Sequence, residues 1–189
     1  MRQVKATALA IAIAACAAAC GTREQPPAAK SDAAVATPAP PVPSVPLVSP
    51  DRVRALLPVA KGWQQSEVKS AGIQLPAPGT HATAVYTRNN ARAELAITDT
   101  GGRQEFLEAT LTVAGTDFLQ KAANGYQKGT KVAGHPAIES WNHQDHLGEF
   151  TIVVNRRFLI YVTATGLDSI ETLRTLVDQI DFNEIERLK

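Results

Sequence analysis

The sequence has few of the residues that usually carry chemistry. Among its 189 residues are two cysteines, one methionine, two tryptophans and four histidines. Both cysteines, Cys16 and Cys20, lie near the amino terminus, so we expect no disulfide, thiol chemistry or cysteine metal site in the rest of the chain. A charge excess is lacking as well, since 19 basic residues stand against 18 acidic ones. Nucleic-acid binding is therefore not expected.

The amino-terminal segment has the three parts of a secretory signal peptide. Arg2 and Lys5 give it a positive start, residues 6–15 form an apolar run, and small residues follow. The run is too short to cross a hydrocarbon core of about 30 Å, which needs about 20 apolar residues. This order of charge, apolar run and small residues predicts a signal peptide rather than a membrane helix.

Each cysteine follows three apolar residues, in the stretches IAAC (13–16) and AAAC (17–20). Both stretches resemble the lipobox of bacterial lipoproteins. The resemblance implies a diacylglycerol thioether on the cysteine, cleavage just before it and acylation of the new amino terminus. We favour Cys20, with a signal peptide over residues 1–19, because polar residues follow it at once. Cys16, with an aliphatic residue three places before it, is the alternative.

An anchor of this kind places the protein in the cell envelope, with the membrane as a partner through covalent lipid. Two or more acyl chains bind a bilayer stably, whereas one chain binds marginally. An aspartate after the cysteine resembles the inner-membrane retention signal of enterobacterial lipoproteins, but here Gly21 follows Cys20. In a Gram-negative cell, that resemblance favours the outer membrane and a protein that faces the periplasm.

Residues 20–48 are predicted to form a linker after the anchor. Eight of the twelve prolines lie between Pro26 and Pro50. Proline has no amide donor and the stretch has little apolar mass, so it is not expected to pack a core or join a sheet. In polyproline geometry such a chain rises about 3.1 Å per residue, which holds a domain away from the membrane. Residues 49–189 are long enough for one globular domain.

A short helix and a strand are predicted to begin this domain. Ser49, Pro50 and Asp51 supply a cap residue, a proline at the first helical position and an acid in the first turn. This pattern predicts a helix that ends near Pro58. The next segment, residues 63–68, is predicted to be a strand.

Two hairpins are predicted from alternating patterns. The first turns at residues 89–90 and places Tyr86 opposite Ala93 on an apolar face, while its other face is mostly polar. The second turns near residues 155–156. If its loop also has two residues, one face carries Val153, Phe158, Ile160 and Val162. The other face carries Phe150, Ile152, Val154, Leu159 and Tyr161. Because both faces are apolar, we expect helices to cover both.

The covering helices are predicted over residues 103–113 and 117–123 and at the end of the chain. The last helix is predicted to begin at Asp168, with Glu171 three residues on as in a capping box. Apolar residues then recur at helical spacing. The residues of that stripe are Ile170, Leu173, Leu176, Val177 and Ile180.

With two further strands predicted at 126–131 and 137–141, tight turns join most neighbouring strands. The predicted fold class is therefore α+β, with a mainly antiparallel sheet covered by helices on both faces in an α/β/α sandwich. In outline this resembles the PsbP-like domains and some secreted lipoproteins of the LpqN type. The resemblance rests on element order over about 130 residues, and it implies binding more than catalysis.

The stretch from His143 to His146 contains two histidines and Asp145, and His135 lies eight residues before it. Two histidines and an aspartate can ligate zinc or copper. The stretch falls between two predicted strands, where a polar loop is expected, and its spacing fits no closed site. We therefore predict a solvated hairpin tip and no metal, with His143, His146 and His135 as the candidates if a metal does bind.

Catalytic motifs are missing from the sequence: it contains no nucleophile elbow, phosphate loop or dinucleotide fingerprint. The prediction is a non-enzymatic lipoprotein without cofactor, whose tethered domain binds a protein partner in the envelope. Two alternatives stay open. One is an immunity or inhibitor lipoprotein that acts against a periplasmic toxin, and the other is a periplasmic carrier of a ligand or metal.

Overall fold

The computed structural model of the protein describes residues 45–74, 78–114 and 116–188. The predicted signal peptide, both cysteines and nearly all of the predicted linker lie outside these residues. Lipidation at Cys20 or Cys16 therefore stays a prediction.

The described residues form four α-helices and eight strands, with a 3-10 turn at Gln104–Phe106. The helices are α1 (Pro50–Ala55), α2 (Glu108–Ala114), α3 (Ile170–Val177) and α4 (Phe182–Arg187). The strands are β1 (Gln64–Ile73), β2 (Gly79–Arg88), β3 (Ala91–Asp99), β4 (Leu119–Ala122), β5 (Gly125–Val132), β6 (His135–Asn142), β7 (Leu147–Val154) and β8 (Phe158–Thr165).

All of these strands belong to one sheet, in the order β1-β2-β3-β8-β7-β6-β5-β4, and neighbouring strands are antiparallel. Two meanders, β1 to β3 and β4 to β8, meet where β3 pairs with β8. After β3 the chain passes through the 3-10 turn and α2 to the far edge of the sheet, where β4 begins. The predicted α+β class with a mainly antiparallel sheet is confirmed.

The first predicted hairpin is confirmed in its register. Asn89 and Asn90 form the two-residue loop between β2 and β3. Asn89 has a φ of 52°, a left-handed conformation that asparagine tolerates better than most residues. Tyr86 pairs with Ala93, and both side chains are buried.

The predicted faces of the second hairpin were wrong, because its loop is one residue longer than expected. The loop holds residues 155–157, so that Val154 pairs with Phe158. Arg157 belongs to the loop because its backbone N–H donates to the Val154 carbonyl and its side chain turns inward to Asp99. The residues that face the main core are Phe150, Ile152, Val154, Phe158, Ile160 and Val162. The opposite face carries Val153, Leu159 and Tyr161.

The main core lies between this face of the sheet and three of the helices. α1 begins at Pro50, as predicted, and the stripe predicted for the last helix is buried in α3 and just after it. The helical residues of the core cluster are Val53 of α1, Ile170, Leu173, Leu176 and Val177 of α3, and Phe182 and Ile185 of α4.

The opposite face of the sheet is covered only in part. α2 packs closely there, since a Cβ on Gly129 of β5 would lie 2.7 Å from the carbonyl oxygens of Val113 and Thr116. Among the strands, α2 mainly contacts β5, β6 and β7. Tyr161 of β8 remains 39% exposed. Helices that cover both faces are therefore not confirmed.

The predicted helix at residues 117–123 was wrong, because this segment forms β4. Ala123 and Asn124 make a two-residue turn, and Ala122 then pairs with Gly125. Glycine is favoured directly after the two central residues of a β-turn, the position that Gly125 occupies. Strand pairing with β5 therefore outweighs the helical pattern of this short segment.

The carboxy-terminal helices differ from prediction in their caps. Ser169, rather than Asp168, precedes the first residue of α3, and its side chain makes no capping hydrogen bond within the described part of the chain. α4 was not predicted. Asp181 caps it by accepting a hydrogen bond from the Glu184 backbone N–H at 3.0 Å.

Candidate functional site

An open groove of about 450 Å³ lies at the β4 edge of the sheet. The registers pair Lys121 with Tyr126 and Tyr126 with Trp141, so these side chains form one row across β4, β5 and β6. Leu119 and Lys128 form the start of the next row. Together with His143, which follows β6, these are the main side chains that line the groove.

The floor of the groove depends on Gly125 at the start of β5. A Cβ at this position would lie 1.9 Å from the carbonyl oxygen of Trp141 on the neighbouring strand, far inside the closest contact that real Cβ atoms make. Glycine therefore allows a close backbone approach that no other residue permits. In the register of these strands, Tyr126 and Trp141 lie side by side next to this close approach.

Glu139 is completely buried behind the groove and accepts from three donors. Its Oε1 accepts from the Tyr126 hydroxyl at 2.5 Å and from the Lys128 ammonium at 3.0 Å. Its Oε2 accepts from the guanidinium of Arg174 on α3, which also lies 3.2 Å from Glu171. A buried carboxylate is costly unless it is paired and hydrogen-bonded, and both oxygens of this one are engaged.

These contacts shift the pKa of both acidic partners. Burial by itself would raise the pKa of Glu139, but the hydrogen bonds from Tyr126 and Lys128 and the charge of Arg174 outweigh it and hold the pKa below its usual range. Burial raises the pKa of Tyr126, and its hydrogen bond to the Glu139 carboxylate raises it further. Near neutral pH, Glu139 is thus an anion and Tyr126 is a neutral donor.

The arrangement is suited to binding. Glu139 is not a free base, since both of its oxygens accept hydrogen bonds. The Lys128 ammonium lies 5.2 Å from the centre of the Tyr126 ring, within cation–π range. The groove offers the rings of Tyr126 and Trp141, the side chain of Leu119, which is 52% exposed, and the Lys121 ammonium. Such a surface fits an apolar or aromatic group with a negative charge beside it.

The histidine stretch forms the loop between β6 and β7, as predicted. Nδ1 of His146 lies 2.8 Å from the carbonyl oxygen of Leu167, which ties the loop to the segment before α3. His143 turns to the groove instead and is part of its lining. The two histidines therefore have separate surroundings.

His135 lies at the far end of β6, eight residues from His143 and so about 25 Å away. Its ring packs against Phe182 at 5.3 Å, and its Nε2 lies 3.6 Å from Glu186. The three histidines proposed as metal candidates are thus not brought together. Among residues 45–74, 78–114 and 116–188, no group of three His, Cys, Asp or Glu side chains is placed to hold a metal ion.

Sequence reasoning did not single out the buried Glu139 or its three donors, Tyr126, Lys128 and Arg174. One signal was available, since Glu139 is a carboxylate in the middle of the strand predicted at 137–141. Its core-facing position follows from the register with Phe150. Arg174 comes from α3, 35 residues later, and only the tertiary structure identifies it as the partner.

Within the described ranges, no helix has the length and apolar character needed to span a bilayer. Comparison of the chain with protein-family models, with curated proteins and with solved structures found no match. The residues of the groove are therefore the basis for the function assigned to it.

Proposed function

We propose that the protein is a lipid-anchored lipoprotein of the cell envelope whose body is a non-catalytic module that binds another protein through the groove. The observation that carries this proposal is the open aromatic and apolar surface at the β4 edge, on the sheet face that helices cover elsewhere. The lipid on Cys20, the periplasmic location and the preference for the outer membrane come from the amino-terminal sequence. We also propose that the fold is an α/β/α sandwich of the PsbP-like kind, with α2 as the second helical layer.

The shape of the groove favours a protein partner over a small molecule. Small-molecule sites are concave and bury most of their ligand, whereas this groove is open along three neighbouring strands. Three strands span about 10 Å, the width of one helix or extended segment of a partner. Tyrosine and tryptophan, here Tyr126 and Trp141, are among the residues that contribute most to protein interfaces.

Photo-crosslinking in the native envelope tests this proposal. A photoreactive amino acid at Leu119 of the full chain should yield a discrete adduct with one protein. The matched control is the same amino acid at Val59, which is 92% exposed and lies outside the groove. Trp141→Ala in the Leu119-labelled chain should abolish the adduct, because truncating a central aromatic weakens binding by about 2 kcal/mol, or about 30-fold.

Two outcomes contradict protein binding at the groove. The first is no adduct at Leu119, and the second is the same set of adducts at Leu119 and Val59. The identity of a specific adduct distinguishes the narrower version of the proposal. A secreted toxin as the adduct indicates an immunity or inhibitor lipoprotein, whereas a resident envelope protein indicates a role in assembly.

The anchor is tested separately by mass spectrometry of the native amino-terminal peptide. We expect the mass of Cys20 with its lipid, and we expect Cys20→Ser to move the protein from the membrane fraction to the soluble fraction. Cys16→Ser is the matched control and should leave the protein membrane-bound. The reverse pattern assigns the anchor to Cys16, and an unmodified sulfur at both positions rejects the anchor.

A further inference from the structure

A buried ion pair lies at the end of β3, an interior strand of the sheet, away from the groove. Asp99, the last residue of β3, has a fully buried side chain, and that of Arg157 is 7% exposed. Nε of Arg157 lies 2.8 Å from Oδ1 of Asp99, and Nη2 lies 2.8 Å from Oδ2. This bidentate pairing fixes both side chains in one geometry.

The ion pair also binds the backbone at the start of the described chain. The Val48 N–H donates to Oδ2 of Asp99 at 2.7 Å, and Nη2 of Arg157 donates to the carbonyl oxygen of Pro46 at 2.7 Å. The ion pair therefore binds one backbone donor, through its carboxylate, and one backbone acceptor two residues earlier, through its guanidinium. These contacts are made to main-chain atoms that any sequence would offer, apart from the amide that proline lacks.

Leu47, between the two bonded residues, lies against Gly101. A Cβ on Gly101 would be 3.3 Å from Cδ2 of Leu47, and the φ of Gly101 is 64°, which glycine adopts without strain. The Gly101 N–H donates to Oδ1 of Asp99 at 2.9 Å. The same glycine thus supports the carboxylate and leaves space for the bound segment.

We propose that Asp99 and Arg157 form a site that binds the backbone of an extended, proline-containing segment. Residues 46–48 of the same chain occupy this site. Pro46 has a fixed φ, so less conformational entropy is lost when the segment binds. The site therefore joins the end of the predicted linker to the body at a defined point.

The position of this site relative to the groove follows from the strand registers. From Tyr126, four strand spacings across the sheet lead to Ala93, and six residues along β3 lead from there to Asp99. These steps correspond to about 19 Å across the sheet and about 20 Å along it. The groove and the bound segment are thus four strands apart in the sheet and toward opposite ends of the strands. If the chain is lipid-anchored, which is part of the proposed function, the groove lies away from the point where the linker joins the body.

Hydrogen exchange on the full chain, resolved to single residues by mass spectrometry, tests the site without reference to lipid or partner. We expect the Val48 amide to exchange at least about tenfold more slowly in the wild type than in Asp99→Asn or Arg157→Lys. Lysine keeps the positive charge but lacks the fork needed to bind Asp99 and Pro46 together. Glu67→Gln is the matched control, because it removes an exposed ion pair with Arg92 and should leave Val48 unchanged.

The amides of Ile152 and Ile160 in the core report whether a variant remains folded. If they lose protection in Asp99→Asn or Arg157→Lys, Pro46→Gly decides the question, since it changes only the bound segment. We expect Pro46→Gly to accelerate exchange of Val48 by about fivefold, which corresponds to about 1 kcal/mol of added unfolded-chain entropy. Unprotected exchange of Val48 in the wild type, or unchanged protection in folded site variants, overturns the proposal.

Discussion

Glu139→Gln tests the contacts of the buried Glu139 with Tyr126, Lys128 and Arg174. Glutamine keeps the volume and one acceptor but removes the charge that faces Arg174 and Lys128. Breaking a buried ion pair costs about 3–5 kcal/mol, and one hydrogen bond to a charged group contributes about 1.5–3 kcal/mol. Arg174 is 28% exposed and Lys128 is 37% exposed, so both cations can rehydrate in the variant. We therefore expect the free energy of unfolding to fall by about 2 kcal/mol at neutral pH.

Urea unfolding of the wild type and the variant measures this loss, with an unchanged m value as the sign of a simple stability effect. The folded-state pKa of Glu139 is lowered, so its contribution is complete above the unfolded pKa of about 4.3 and is lost as the pH falls through the folded pKa. The difference between the two proteins should shrink in that acidic range.

Glu171→Gln is the control, because it removes a carboxylate that is 70% exposed from the same arginine. It should cost less than about 0.5 kcal/mol. A loss in Glu139→Gln no larger than that in Glu171→Gln at neutral pH refutes the reasoning.

Three further predictions concern backbone and tyrosine positions. Gly125→Ala should lower the free energy of unfolding by about 3 kcal/mol or more because of its clash with β6, whereas Gly72→Ala, whose nearest contact is 4.0 Å away, should cost less than about 1 kcal/mol. Equal losses in urea would contradict this. All three tyrosines have a raised pKa, and that of Tyr161 is raised to about 12 by burial and by its hydrogen bond to a carboxylate. Tyrosinate absorbance should therefore titrate above the unfolded tyrosine pKa of about 10, and the free energy of unfolding should fall as the pH rises past that pKa. A titration midpoint at the unfolded pKa would contradict this prediction. Ala133→Gly should raise the urea-derived stability by about 0.5–1 kcal/mol, because Ala133 has a φ of 48°. No gain would mean that this turn is unstrained.

Elements bounded by standard turn and cap chemistry could be predicted from the sequence. The Asn89–Asn90 loop and the proline at the start of α1 are of this kind, because their signals lie within a few residues. The second hairpin could not be predicted in register, since its loop length depends on a distant contact. Arg157 leaves the strand to pair with Asp99, 58 residues away in sequence. The extra loop residue shifts the register by one, which places each β7 side chain on the other face relative to β8.

The groove could not be predicted because two of its determinants are tertiary. β4 has only four residues, and its pairing with β5 overrides a helical pattern. Glu139 is visible in the sequence as a charge within a strand, but the three donors that stabilise it come from β5 and α3. The histidine loop was predicted correctly, whereas the position of His143 at the groove required the fold.

One row of side chains across the sheet changes from apolar to charged. Leu95, Val162 and Phe150 are buried neighbours on β3, β8 and β7, and the row continues with Glu139 and Lys128 on β6 and β5. An apolar pair at the positions of Glu139 and Lys128 would extend the core. It would cost little stability, because a buried ion pair is often no more stabilising than well-packed hydrophobic residues. In this row the charges instead end the apolar side chains at β7, while elsewhere the core extends to Ala137 of β6 and Val132 of β5. Stability alone does not favour that arrangement, and the proposed function accounts for it as a surface that stays free for a partner.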